Sequence, residues 1–175
     1  AQLLRLRPDL NIVEIRGNVG TRLRKVKEQP ELHATVLAAA GLKRLGFTID
    51  ENGVLTGENV PDGIQTRFLT TEEMLPCVGQ AAIGIESRAN DPRIDAICAQ
   101  LNHADTLACV TAERAFLRTT GGGCATPVAA LGEISNQILT LRANSFIDDQ
   151  FREFSGTCET GGAAKLGSDA AAALK

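Results

Sequence analysis

The sequence has no tryptophan, no tyrosine and only two histidines in 175 residues. Without indole and phenol rings it lacks the platforms on which single-stranded bases stack. Its formal charge of -3 also lacks the basic excess that displaces counterions from a polyanion. Nucleic acid is therefore not an expected partner, and any anion held here is small and locally bound. No apolar run reaches bilayer length, and the opening Ala1-Gln2-Leu3-Leu4-Arg5 has no signal-peptide pattern. No membrane partner is expected. The cytoplasm is the expected setting, and a plastid is compatible with it once a transit peptide is removed. The cysteines Cys77, Cys98, Cys109, Cys124 and Cys158 are odd in number and lack CxxC spacing, which indicates neither a disulfide framework nor a metal site. Free thiols are the expected state.

What remains is the composition of an ordinary folded protein, 43% hydrophobic and 22% charged. Ala1 to Arg7 has helical spacing, and Pro8-Asp9 stops it ahead of the β-branched run Asn11 to Ile15, which reads as a strand. A glycine turn with Asn18 as N-cap leads into a helix over Thr21 to Glu28. Ala34 to Ala38 reads as a second strand and Gly41 to Gly46 as a second short helix. This alternation predicts an α/β fold with parallel pairing and a ligand face at the strand C-terminal ends.

Phe47 to Phe68 reads as a surface hairpin or loop turning at Asn52-Gly53. Met74 to Ile85, apolar with internal glycines, reads as a strand crossing between domains. Helices follow over Pro92 to Asn102 and Thr106 to Arg118, the latter with Leu107, Val110, Arg114 and Leu117 on one face. After Gly121-Gly122-Gly123, the runs Thr126 to Leu131, Ile138 to Ala143 and Gln150 to Ser155 read as strands of a small sheet. Ala163 to Leu174 reads as a closing helix. The expected organisation is an α/β domain over residues 1–72, a crossing strand and helices over 73–120, and a small α+β domain over 121–175.

Two basic turns stand out. In Arg16-Gly17-Asn18-Val19-Gly20-Thr21-Arg22, two arginines flank a strand-to-helix turn whose free N–H groups favour an anion. Arg22 in the first helical turn opposes the helix dipole unless an anion sits between them. Gly41-Leu42-Lys43-Arg44 repeats the pattern, so Arg16, Arg22, Lys43 and Arg44 could hold a polycarboxylate; solvated surface bases are the bland alternative. Gly121-Gly122-Gly123-Cys124 puts a thiol at the end of a permissive loop, open to close approach. The other four cysteines read as small buried hydrophobes. Neither His33 nor His103 can be paired with Cys124 from sequence. Glu86, Asp91, Asp105 and Glu113 read as helix-terminal or surface carboxylates.

Six strings in order resemble the porphobilinogen deaminase family: Arg16 to Leu23, Leu37 to Gly46, Leu75 to Gln80, Gly84 to Arg88, Ala112 to Leu117 and Gly122 to Pro127. The likeness is strong over residues 1–46 and 73–131, weak over 47–72, and a pattern only beyond 135. It implies a domain like half of a periplasmic-type binding protein, followed by a C-terminal cofactor-attachment domain. It implies that Cys124 carries a dipyrromethane cofactor through a thioether, to which four porphobilinogen units are added with loss of ammonia to give hydroxymethylbilane. It further implies that Arg16, Arg22 and Arg44 bind the carboxylates of the cofactor and growing polypyrrole, and that Gln80 lines the cleft.

The family's catalytic aspartate belongs to an N-terminal region that does not align here, so the resemblance assigns no catalytic residue to this chain. The chain alone is expected to be inactive unless that region is supplied, for example as a separate chain. Ala81 departs from the family pattern, which has glycine after the glutamine. The residues alone also fit a non-enzymatic α/β module that binds a small polycarboxylate, or a cysteine-dependent acyl or redox enzyme lacking a recognisable histidine partner.

Overall fold

A computed structural model describes residues 1–123 and 125–175. The chain divides into two compact units, one of Leu3–Thr70 and one of Ala1–Gln2 with Thr71–Lys175. In the first, α1 (Gln2–Leu6, most of it in this unit) is followed by α2 (Val19–Glu28) and α3 (Ala39–Arg44). Asn18 caps α2 as expected, its Oδ1 accepting the Thr21 N–H at 2.8 Å. Strands β1 (Thr48–Ile49) and β2 (Leu55–Thr56) pair antiparallel around Asn52-Gly53. The Asp50 carboxylate accepts the N–H groups of Asn52 and Val54 and fixes that turn. Leu23, Leu42 and Leu55 form the buried core, with Phe47, Ile49 and Val60 packed against them.

The second unit contains α4 (Pro92–Leu101), α5 (Ala104–Thr119), the antiparallel sheet β3 (Val128–Ser135), β4 (Ile138–Ser145) and β5 (Arg152–Glu159), and α6 (Ala163–Ala173). Asn136 and Gln137, both with positive φ, make the two-residue turn between β3 and β4, a twist that suits adjacent antiparallel strands. Leu139, Leu141 and Ala143 of β4 point into a core with Phe116 of α5 and Leu166, Ala170 and Ala171 of α6. The two helices meet closely at Gly167, where a Cβ would collide with the Ala112 carbonyl oxygen.

A mixed helix and strand fold is present, but every strand pair among the described residues is antiparallel, so the expected parallel pairing is not found. The runs 11–15 and 34–38 form no strand, and Ile12, Val13 and Val36 stay exposed. β-Branched residues make a chain extended, but a strand also needs a partner to bond to. Met74 to Ile85 is likewise no crossing strand. It folds into a turn in which Gln80 N–H bonds the Cys77 carbonyl, and Gly79 and Ala81 take positive φ, which ends extended pairing.

The buried face of α5 also differs from the expected one. Ala112, Glu113, Ala115 and Phe116 face inward, whereas Leu107 and Arg114 are exposed. Small residues permit the close approach of α6, so alanines outcompete the larger aliphatics for the core.

Candidate functional site

The turn entering α2 holds two of the expected arginines. Gly17 at φ 125° brings the chain back so tightly that a Cβ would lie 2.7 Å from Thr21 Cγ2. Arg22 Nε donates to the Gly17 carbonyl at 2.8 Å, and Lys25 Nζ donates to the Arg16 carbonyl at 3.1 Å. Arg22 and Lys25 of α2 thus bend back over the loop, and the opposition between Arg22 and the helix dipole is relieved by a carbonyl oxygen. Arg16 bonds Glu14 Oε2 through Nε and Nη2, at 3.2 and 3.0 Å. Its side chain is 86% exposed, so this ion pair is worth at most about 1 kcal/mol and can be exchanged for another carboxylate.

Arg44 stands in the last turn of α3, not at its start, and Lys43 shares that turn. The second basic pair is therefore not the expected repeat of the first, because it lies at the carbonyl end of its helix. Both side chains are exposed. No hydrogen bond or ion pair joins Arg16, Arg22 and Arg44 among the described residues.

Sequence reasoning did not single out Arg24 and Lys27. With Asn18, Thr21, Phe47 and Asn59 they line a cavity of about 780 Å³. Their signal was the i, i+3 spacing on a flank of α2 beside its buried Leu23.

In the other unit, Gln80 lies in the exposed turn after Pro76, and Cys77 Sγ donates to its Oε1 at 3.1 Å. Cys77 is exposed, so the expectation of a buried thiol fails there. Cys98, Cys109 and Cys158 are free and half-buried. Burial first, then the negative charges of Glu113 and Asp105, push the Cys109 thiol up, and burial does the same for Cys158. Neither is a poised nucleophile. Cys124, the expected attachment point, lies outside the described residues.

His103 is the N-cap of α5, its Nδ1 accepting the Thr106 N–H at 3.3 Å. No group of three or more His, Cys, Asp or Glu side chains among the described residues could hold a metal ion. No helix among them is long and apolar enough to cross a membrane.

Glu113 is the clearest correction among the carboxylates. It is 5% exposed, and both of its oxygens accept backbone N–H groups, Oε2 from Gly79 at 2.6 Å and Oε1 from Gly132 at 2.9 Å. Burial raises its pKa above the ordinary glutamate value, and the two N–H donors pull the other way. The available signal was its place among Cys109, Ala112 and Phe116, one turn either side on the inward face.

Comparison with known proteins gives this geometry a context. Residues 1–96 match the family described as "Porphobilinogen deaminase, dipyromethane cofactor binding domain", and residues 107–175 match "Porphobilinogen deaminase, C-terminal domain". Similar curated proteins include porphobilinogen deaminases of Trichlorobacter lovleyi, 49% identical over 141 residues, and Geobacter sulfurreducens, 46% identical over the same length. Each of those alignments covers 81% of this chain and 40% of the relative. That of Moorella thermoacetica is 48% identical over 142 residues, covering 81% and 41%. The chain thus spans about two fifths of the length of these relatives. Arg16, Arg22, Arg44 and Gln80 fall within the match to the cofactor-binding domain, and position 124 within the match to the C-terminal domain. The chain belongs to the porphobilinogen deaminase family.

Proposed function

We propose that this chain is the part of a hydroxymethylbilane synthase that tethers the growing pyrrole chain and holds its acid groups. The observation that carries this reading is the succession of the two family domains, cofactor-binding over 1–96 and C-terminal over 107–175. The activity joins four porphobilinogen units in sequence with release of one ammonia each, and water then cleaves the product from the primer as linear hydroxymethylbilane. When bound through a thioether to Cys124, dipyrromethane supplies the end from which that chain grows.

The donor chemistry of the described residues fits such a group, because guanidinium forks match acetate and propionate carboxylates. Arg16 can exchange Glu14 for a substrate carboxylate, and Arg44 offers an exposed cation. Among the described residues only the Nε of Arg22 is engaged, so its two terminal nitrogens remain to bind an acid group. Gln80 lends an amide to the cleft wall. In the same reading residues 121–175 are the cofactor-attachment domain, and the extended runs 11–15 and 34–38, unpaired among the described residues, would join a parallel sheet like half of a periplasmic-type binding protein once the N-terminal region is supplied. Their exposed Ile12, Val13 and Val36 support that assignment. The cytoplasm is the setting of this activity, and porphobilinogen and the growing polypyrrole are its ligands.

Intact mass and ammonia release test the reading together. The chain is expressed alone and with the N-terminal region typical of the family, supplied as a separate polypeptide or fused. The expected result is an adduct of two pyrrole units that disappears in Cys124→Ser, with ammonia released from porphobilinogen only when the added region is present. An adduct that persists in Cys124→Ser, or no ammonia in any combination, refutes it.

A further inference from the structure

The Glu113 carboxylate is buried, yet it spends both oxygens on the main chain of two distant segments, 34 and 19 residues away in sequence. Gly79, bound by Oε2, immediately precedes Gln80 in the exposed turn. Gly132, bound by Oε1, lies on β3, the strand that follows Cys124 in the sequence. The remaining bonds of the turn are largely internal: Gln80 N–H to the Cys77 carbonyl, Ala82 N–H to the Gly79 carbonyl, and Cys77 Sγ to Gln80. Just upstream, the Pro76 carbonyl accepts the Ala130 N–H at 3.2 Å, a second tie to β3, and Val78 packs against the core, but these contacts alone leave the Gly79 N–H without a partner and that peptide free to shift. The carboxylate removes that freedom. An apolar residue of similar size could fill the volume, but it could not accept two N–H groups at once.

We infer that Glu113 is a positioning residue for the pyrrole-binding cleft, setting where the Gln80 turn stands against the strand leading from Cys124. The inference rests on the functional reading above, in which Cys124 carries the cofactor and Gln80 lines the cleft. Its chemistry is specific. A glutamine at 113 keeps the shape but sets an amide N–H₂ against one of the two backbone donors, so one tie breaks. An aspartate keeps two acceptor oxygens on a shorter stem and retains part of the clamp.

Two measurements test it. On the chain itself, amide hydrogen exchange in Glu113→Gln is expected to quicken at residues 79–81 while Leu139 and Leu141 keep their protection; unchanged exchange at 79–81 overturns the inference. In the form that releases ammonia, and well below its melting temperature, Glu113→Gln is expected to raise KM for porphobilinogen about tenfold with kcat within about twofold. Glu113→Asp should recover part of that loss. A purely architectural role leaves the folded enzyme's KM unchanged, and that result overturns it too. A wild-type enzyme that releases no ammonia in any form refutes the functional reading instead, and removes the cleft that Glu113 is said to position.

Discussion

The Leu3–Thr70 unit buries three leucines and pairs two strands of two residues each, whereas the Thr71–Lys175 unit closes a three-stranded sheet under two helices. Both units leave apolar side chains exposed, among them Ile83, Ile97, Leu101 and Leu107 in the larger. In the smaller unit, apolar side chains such as Ile12, Val13, Val36 and Leu45 stand in solvent beside its cationic turns, while every residue of β4 after Ile138 is at least partly covered. In the larger unit the sheet, α5 and α6 supply a core of their own; the smaller unit is mostly loops, arginines and extended backbone. The exposed cationic turns and the closed sheet thus lie in different parts of the chain.

That contrast can be broken most forcefully at Phe116. Phe116→Ala removes a fully buried ring between α5 and the sheet and should cost about 3–5 kcal/mol in denaturant unfolding of the larger unit. An effect under 1 kcal/mol would mean that the core does not carry this unit. Glu113→Ala strands two buried N–H groups and should cost about 2–4 kcal/mol.

The pH dependence of Glu113 follows from its raised pKa. The fold favours the protonated acid, so its contribution is complete below the ordinary glutamate value and is lost as pH rises through the higher folded value. Stability of the wild type measured across that window should therefore fall relative to Glu113→Gln.

A smaller effect is expected in the other unit, where Asn18→Ala removes the cap of α2 and should cost about 1 kcal/mol, read as lost helical signal and a lower melting point. In the opposite direction, Ala81→Gly should stabilise the larger unit by about 0.5–1 kcal/mol, because φ 68° strains an alanine more than the added chain entropy of glycine costs. The least consequential site is Asp9, exposed beside Arg7, whose hydrogen bond holds its carboxyl at about 2. Its contribution is present above the ordinary aspartate range and lost as pH falls toward that value. NMR titration should find the low midpoint and see it rise in Arg7→Gln.

Local signals were legible in the sequence wherever local chemistry decides the outcome. The Asn18 cap, the Asn52-Gly53 turn, α4, α6 and the three C-terminal strands could all be read, with strand ends displaced by a few residues. Tertiary choices were not legible. Nothing in residues 104–119 says that alanines, not Leu107, will face α6, since that depends on how near the second helix comes. Glu113 was misread for the same reason, because its partners arrive from 34 and 19 residues away. At the candidate site the Arg16 and Arg22 turn was readable from its glycine and cap, but the carbonyl end of α3 beneath Arg44 depended on a helix starting two residues before Gly41.

One amide side chain joins the two ends of the stretch 3–70. Gln2 donates from Nε2 to the Leu75 carbonyl and accepts the Leu75 N–H on Oε1, while Asn144 donates to the same oxygen. An amide side chain here imitates a neighbouring strand and fastens the two ends of the intervening stretch together. Leu3–Thr70 is in effect an insertion with its entrance and exit buttoned at one point. Lengthening a closed loop adds only about 0.6 kcal/mol per doubling. Evolution can therefore enlarge or trim that stretch, and with it the basic turns, while the sheet and its helices keep their own architecture.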